Sequence, residues 1–509
     1  MTHKHGSRNR QLTPGSDPHT LKFELTSTAM LSGEHQRMPR LSIGHVLDKC
    51  GPVSLARPRI RIAALICAML AQLPCAAAQN LPLIRDSEIE ALLTDYAKPI
   101  FRVAGFGSGK VSVRIVKNDA FNAFVLDGNN VFVHTGTLLA AKTPNEVIGV
   151  IAHESGHIAG GHMAALRIRI ARDQTKALLT QIIGIGAMIG GAATGGDGGR
   201  DVMSGGQAVL QGGGEMITRG LLSERRSQES AADQAGLKYL GATKQSGRGM
   251  LETFERFQQQ EYVSDQFKDP FVRSHPVATD RIARLRDLVN ASAFVNEKDP
   301  PALQLRHDLM RAKLSGYLER PGAVFNRYPV SDKTLPARYG RAIARFFQGG
   351  TGALEAAVAE LDSMIRDQPA NAYFYETRGD LLMRSGKAAE AVPNLRQALK
   401  LAPESPLIRV QLATALQTSN AGNGVTEAVD LLRKSLIEDQ NPSAYRMLAN
   451  AYYKQGLGPQ ADAMTAQAYF LEGDLKQSQI FAKRAQAKLR PGSPEWIKND
   501  DIINFRPET

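Results

Sequence analysis

The sequence predicts an α+β domain followed by an all-α array of paired helices. Three observations carry that prediction. Segments 111–116, 122–126 and 131–134 read as strands, the first by alternating apolar and polar residues. A capped helix follows them and carries two histidines one turn apart. Beyond residue 336, small residues and prolines return at the spacing of a two-helix unit.

The elements come in order behind a basic leader. Formal net charge is +12, but residues 1–61 hold ten basic and four acidic residues, half of that excess. The remainder is only mildly basic, so nucleic acid is not an implied partner. Arg57, Arg59 and Arg61 precede an apolar stretch, Ile62 to Leu73, and then Pro74-Cys75-Ala76-Ala77-Ala78-Gln79. A basic flank, a short apolar core and small residues at −3 and −1 predict a secretory signal cut after Ala78. Read instead as a membrane anchor, the stretch falls short of the ~20 residues that span a bilayer. Residues 1–55 exceed a normal n-region, which makes Met30 or Met38 an alternative start, and Gln72-Leu73-Pro74 before Cys75 is a poor lipobox. Cys50, Cys67 and Cys75 all precede the expected cut. A metal site in the exported chain must therefore use histidine and carboxylate.

Residues 79–290 are expected to form the α+β domain. Val111 to Val116 alternates as a strand. Segments 122–126 and 131–134 flank Asp127-Gly128-Asn129-Asn130, a hairpin signal. A helix should start at Thr143 as N-cap, with Pro144 at N1 and Glu146 completing a capping box. Val147, Val150 and Ile151 give it an apolar face. Residues 182–214 pass from an apolar stretch into glycine clusters. They read as a buried helix followed by a mobile loop, or as a flap that makes peripheral contact with membrane or substrate.

Residues 291–335 are polar and carry Pro300, Pro301, Pro321 and Pro329, so a connecting segment is expected. In 336–491, Gly379, Gly386, Ala391, Ala398 and Pro403 sit at the positions of a 34-residue helix-turn-helix unit. Tyr445, Leu448, Ala449, Tyr452, Gly456 and Ala461 repeat its first half. Residues 405–441 make a third copy with an insertion near Asn420–Gly424, Gly352, Ala357 and Pro369 an earlier one, and Gly473 with Ala485 a degenerate last one. The pattern resembles the tetratricopeptide repeat, which implies a stacked solenoid with a groove for a partner protein. Residues 492–509 read as a tail.

His153-Glu154-Ser155-Gly156-His157 carries the chemistry. Residues i and i+4 lie about 40° apart on a helix, so both imidazoles leave one face. That pair suits one Zn²⁺ per chain, with Glu154 near enough to serve as base without being a ligand. A third ligand is needed. A metzincin pattern would want histidine at 163, where Met163 stands, and on a continuing helix His162 would face away. Glu229 and Asp233 are i and i+4 on a second helix, so one can bind the ion while the other orients a histidine. Glu224 is the alternative ligand.

With Asn122-Ala123-Phe124, Val131 to Gly136 and Glu229-x-x-Ala232-Asp233, these residues resemble the HtpX-like branch of the gluzincin peptidases. The signal peptide and the repeats narrow this to periplasmic members that act in outer-membrane quality control. The resemblance implies zinc on His153, His157 and Glu229. It also implies that His275, in Ser274-His275-Pro276, is a regulatory fourth ligand, and that Arg281 stabilises the transition state near the reacting carbonyl. The expected substrates are unfolded or misassembled polypeptides, held along one hairpin strand. The partner in the repeat groove would be the outer-membrane assembly machinery. A chaperone or scaffold whose zinc is secondary is the competing reading.

Overall fold

Four short strands form a mixed sheet in the computed structural model of the chain. They are β1 (Leu83–Ile84), β2 (Ser112–Val116), β3 (Ala123–Val125) and β4 (Asn130–His134). Residues 81–107, 109–126, 129–194, 196–262, 267–276, 278–419 and 423–507 are described. The expected leader with its three cysteines, Asp127-Gly128 of the expected turn, and 420–422 of the expected insertion lie outside them. The strand order is β1-β2-β4-β3. The expected hairpin forms, with Ala123 opposite Val133 and Val125 opposite Val131. β2 runs parallel to β4, Ser112 opposite Asn130 through Val116 opposite His134. β4 is therefore paired on both sides, and β3 is an edge strand, with β1 at the opposite edge.

Helix α1 (Ser87–Val103) is capped by Asp86, whose side chain accepts from the Ile89 N–H. It buries Ile89, Leu92, Leu93, Tyr96 and Ile100. After the short α2 (Thr135–Ala140) comes α3 (Pro144–Ala159), buried from Pro144 to His157 except at Asn145. A helix buried all round needs neighbours on every side. They are the sheet, α1, a long helix that supplies Ala232, and the later α6 (Arg248–Glu255), which lies so close that a Cβ on Gly149 would stand 2.8 Å from the Met250 backbone. Helices α7 (Pro270–Ser274) and α8 (Thr279–Asn290) add Phe271, Ile282, Leu285 and Val289 to the same core.

Between α3 and α6 the chain makes two long helices, α4 (His162–Thr194) and α5 (Gly196–Ala242). The sequence suggested a buried helix and then a loop. The helix forms, but its aliphatic side chains are exposed, and the expected loop is helical instead. The glycine-rich stretch from Gly196 is helical, and Leu178, Ile182 and Ile183 are exposed. Gly206 lets α5 pack tightly on α4, since a Cβ there would meet Gly184 O at 2.7 Å. None of the described helices is long and apolar enough to cross a membrane.

Residues 291–335 are no loose connection. They hold α9 (Pro301–Leu318) and α10 (Pro321–Arg327), each with proline in its first turn, where no N–H is needed. Met310 and Leu314 of α9 belong to the sheet-side core, and Leu309 to the next one. From α11 (Leu335–Gln348) through α12 (Ala353–Asp367), α13 (Ala372–Arg384), α14 (Ala388–Leu401), α15 (Pro406–Ser419), α16 (Gly424–Glu438), α17 (Pro442–Lys454), α18 (Gly458–Leu471) and α19 (Leu475–Gln486), each helix packs on the one before. Gly352, Gly386 and Gly456 turn the chain between helices at φ of 78°, 74° and 75°, where a side chain would be strained. The expected tail folds as α20 (Pro494–Asn504), with Ser493 as N-cap and Ile502 buried. Residues Asn80–Thr509 form one compact unit.

Candidate metal centre

Local sequence builds the first half of the site. Thr143 Oγ1 accepts from Glu146 N at 3.3 Å and starts α3. The Glu146 carboxylate reaches past the N-cap to accept from Lys142 N at 2.9 Å, a capping contact one residue earlier than expected. Three turns on, His153 and His157 project together, their Nε2 atoms 3.1 Å apart.

Helix α5 supplies the second half. It crosses α3 at Gly156, where a Cβ would meet Ala232 Cα and O at 2.8 Å. That approach brings Glu229 Oε2 to 3.4 Å from His153 Nε2, and Oε1 to 3.3 Å from His157 Nε2. Asp233 Oδ1 lies 3.0 Å from His153 Nδ1, fixing that ring from behind. Glu224 is elsewhere, paired with Arg169. His275, just past α7, turns Nδ1 inward, 3.2 Å from His153 Nε2 and 3.2 Å from Glu229 Oε2. Its Nε2 lies 3.1 Å from Ala123 O on the edge strand, so Nε2–H donates there and Nδ1 keeps its lone pair.

These four donors fit a metal. Bonds of about 2.1 Å in a tetrahedron separate donor atoms by about 3.4 Å. The donor atoms here lie 3.1 to 3.4 Å apart, and all four residues offer atoms within 4.8 Å of one another. Buried lone pairs facing each other at such range repel unless a cation lies among them. His275 thus completes a closed set of four.

Electrostatics keep the carboxylates ionised. Burial opposes charge on Glu229, but His275, Arg281 and the two ligand-type histidines hold its pKa well below the usual range. Burial also works against charge on His153, yet Asp233 and Glu229 outweigh it and raise the pKa to about 9. At His157 burial wins and lowers it. Glu154 is buried beside the cluster, its Oε1 3.3 Å from His275 Nε2 and without a hydrogen-bond partner.

Two further residues frame the cluster. Arg281 gives Nε and Nη2 to Asp233 and Nη1 to Glu229 Oε2 at 2.9 Å, with Nη1 also on Pro276 O. Its cation braces the two carboxylates of α5 with three of its five N–H groups, and a fourth donates to Pro276 O. His162 was expected to face away. Instead α3 stops at Gly160, Gly161 turns at φ 62°, and His162 swings back to place Nδ1 2.9 Å from His157 Nδ1. With His157 Nε2 facing the cluster, His157 Nδ1–H donates to His162. The signal that could have revealed it was the Gly160-Gly161 pair, a helix stop rather than a continuation.

Residues 84–289 match the model of peptidase family M48. The chain is 27% identical over 440 residues to a beta-barrel assembly-enhancing protease of Yersinia pestis, covering 83% of this chain and 84% of that one. To the protein of that name from Escherichia coli (strain K12) it is 23% identical over 434 residues, covering 83% and 84%. A solved structure titled "MamA MSR-1 C2" is similar at 21% identity, with a TM-score of 0.28 over 33% of this chain and 93% of that one.

Proposed function

We propose, from the premise that this chain is a metalloprotease with an M48 peptidase domain, that it is a zinc endopeptidase of the periplasm, where it degrades misfolded or misassembled outer-membrane proteins. The four-donor cluster with Glu154 beside it carries this reading. His153, His157 and Glu229 would hold the ion, while Asp233, Arg281 and His162 hold these side chains in place. When bound, zinc supplies Lewis acidity toward a peptide carbonyl and lowers the pKa of a water toward ~7. Glu154 takes the proton of the attacking water and passes it to the leaving amine.

His275 sets the resting state. A catalytic site needs an open position, and His275 Nδ1 would take the fourth one while its Nε2–H donates to Ala123 O. An extended substrate adding to the β3 edge would compete for that same carbonyl. Of the two hairpin strands, β3 alone has an edge unpaired by another strand among the described residues. Substrate binding and His275 release are therefore coupled. Backbone pairing reads little side-chain sequence, which suits unfolded chains. The paired helices from α11 to α19 are repeats of the tetratricopeptide type, and they take up a partner of the outer-membrane assembly machinery. Scaffolding by these repeats is a second reading, favoured by the closed ligand set.

Glu154→Gln tests the assignment. The variant should keep one zinc per chain and lose cleavage of an unfolded polypeptide. Undiminished cleavage would overturn the reading. A Glu154→Gln strain that shows no defect, where deletion of 336–491 shows all of it, would establish the scaffold instead.

A further inference from the structure

The α4–α5 pair has an outer face that the proposed peptidase reading does not use. Leu178, Leu179, Ile182, Ile183 and Ile185 are 47–64% exposed. Their spacing places them within an arc of roughly 160° on α4. Large aliphatic side chains grouped so mark an interaction surface. Arg172 and Lys176, about 55% exposed, stand seven residues before Leu179 and Ile183, two turns away on the same side. Asp173 lies 3.9 Å from Arg172 and 3.6 Å from Lys176, but Arg169 engages it more closely, at 2.6 Å, so one carboxylate is shared by three cations. Between Lys176 and Glu215 the sequence has only three charges, Asp197, Arg200 and Asp201.

We propose that this face, Leu178 to Ile185 with Arg172 and Lys176 beside it, docks on an anionic phospholipid membrane. The inference goes beyond the peptidase reading and does not depend on it. Three observations choose the occupant. The helix is too short in apolar residues to cross a bilayer, which leaves lying in the interface, with apolar residues about 5–10 Å deep. Cations flanking an apolar stripe match lipid phosphates, because their stems bury while their heads stay at headgroup level. The face lies far from the reaction centre: 16 to 23 residues beyond His162, about 24–35 Å along the helix. An extended peptide in the site would need about seven to ten residues to reach it, too remote for a subsite. A second copy would bring the same cations against these.

The test is vesicle co-sedimentation of the exported chain carrying Glu154→Gln throughout, so that lipid binding is read without cleavage and its failure leaves the peptidase reading standing. Probes are vesicles of phosphatidylglycerol with phosphatidylethanolamine, and of phosphatidylcholine alone. The chain should bind the anionic vesicles and bind the neutral ones at least tenfold less. Ile182→Asp with Ile183→Asp should lower partition about tenfold or more while helix content and melting midpoint hold. Arg172→Gln with Lys176→Gln should remove the anionic preference, about fivefold per cation, and serves alone if the aspartate pair does not fold. Equal binding to both vesicle types, or unchanged binding by the variants, overturns the proposal. So does loss in the aspartate pair of self-association, or of binding to an unfolded polypeptide, with vesicle binding intact.

Discussion

At the scale of the residue, each imidazole in the cluster is held by what its second nitrogen touches. His153 has Asp233 behind it, His157 has His162, and His275 has Ala123 O. Such partners set tautomer and ring angle, and their loss costs about 10- to 100-fold in metal affinity. His162→Ala should therefore weaken metal binding by that order, read by chelator competition, while circular dichroism stays unchanged. His275→Ala has the opposite sign for activity. It vacates the fourth position and frees Ala123 O, so basal cleavage should rise while the other three ligands keep the ion. Cleavage that falls or does not change would remove His275 as a latch.

At the scale of the element, the decisive contact is the crossing of α3 and α5. Glycine in a helix normally lowers stability by about 1 kcal/mol relative to alanine. At Gly156 that order should reverse, because the added Cβ would meet the Ala232 backbone at 2.8 Å. Gly156→Ala should cost about 1–3 kcal/mol of stability as an overpacking change. It should also reduce bound metal, since α5 carries Glu229 and must move outward. Denaturant unfolding and metal content measure the two effects, and a variant as stable and as metal-rich as the parent would show that α5 has slack there.

At the scale of the whole molecule, a buried polar joint ties the sheet-side core to the paired helices. Lys313 Nζ on α9 lies 2.9 Å from Asp86, 3.3 Å from Glu88 and 2.9 Å from Glu376. Tyr339 of α11 bonds Glu88 and Thr377, and Gln411 of α15 bonds Glu376. Removing the one cation from two buried acids and the half-buried Asp86 should cost about 3–5 kcal/mol, so Lys313→Met should unfold at markedly lower denaturant. Burial raises Glu88 to about 7 against the pull of Lys313. The folded chain then keeps a proton that the unfolded chain releases near 4.5. Stability should fall as pH rises from about 4.5 to 7, by up to about 3 kcal/mol from this group. Glu88→Gln should flatten that slope in unfolding midpoints taken at pH 5 and pH 8.

Sequence by itself determined what lies within a few residues of its cause. The Thr143 cap and Pro144 place α3, the helical period puts His153 and His157 on one face, and i to i+4 spacing links Glu229 with Asp233. The same locality made the paired helices legible from Gly386 and Gly456. It misjudged residues 291–335 and 492–509, because prolines that open helices and prolines that interrupt chain look alike until packing is known. Tertiary structure alone decided the rest: that β3 and not β4 is the edge, that His162 turns back to His157, and that Arg281 braces carboxylates. It also decided that His275 closes the cluster in space, 122 residues from His153, and that Lys313 sits among acids 63 and 227 residues away. Those contacts are fixed by how buried surfaces meet. No local period or cap encodes that meeting.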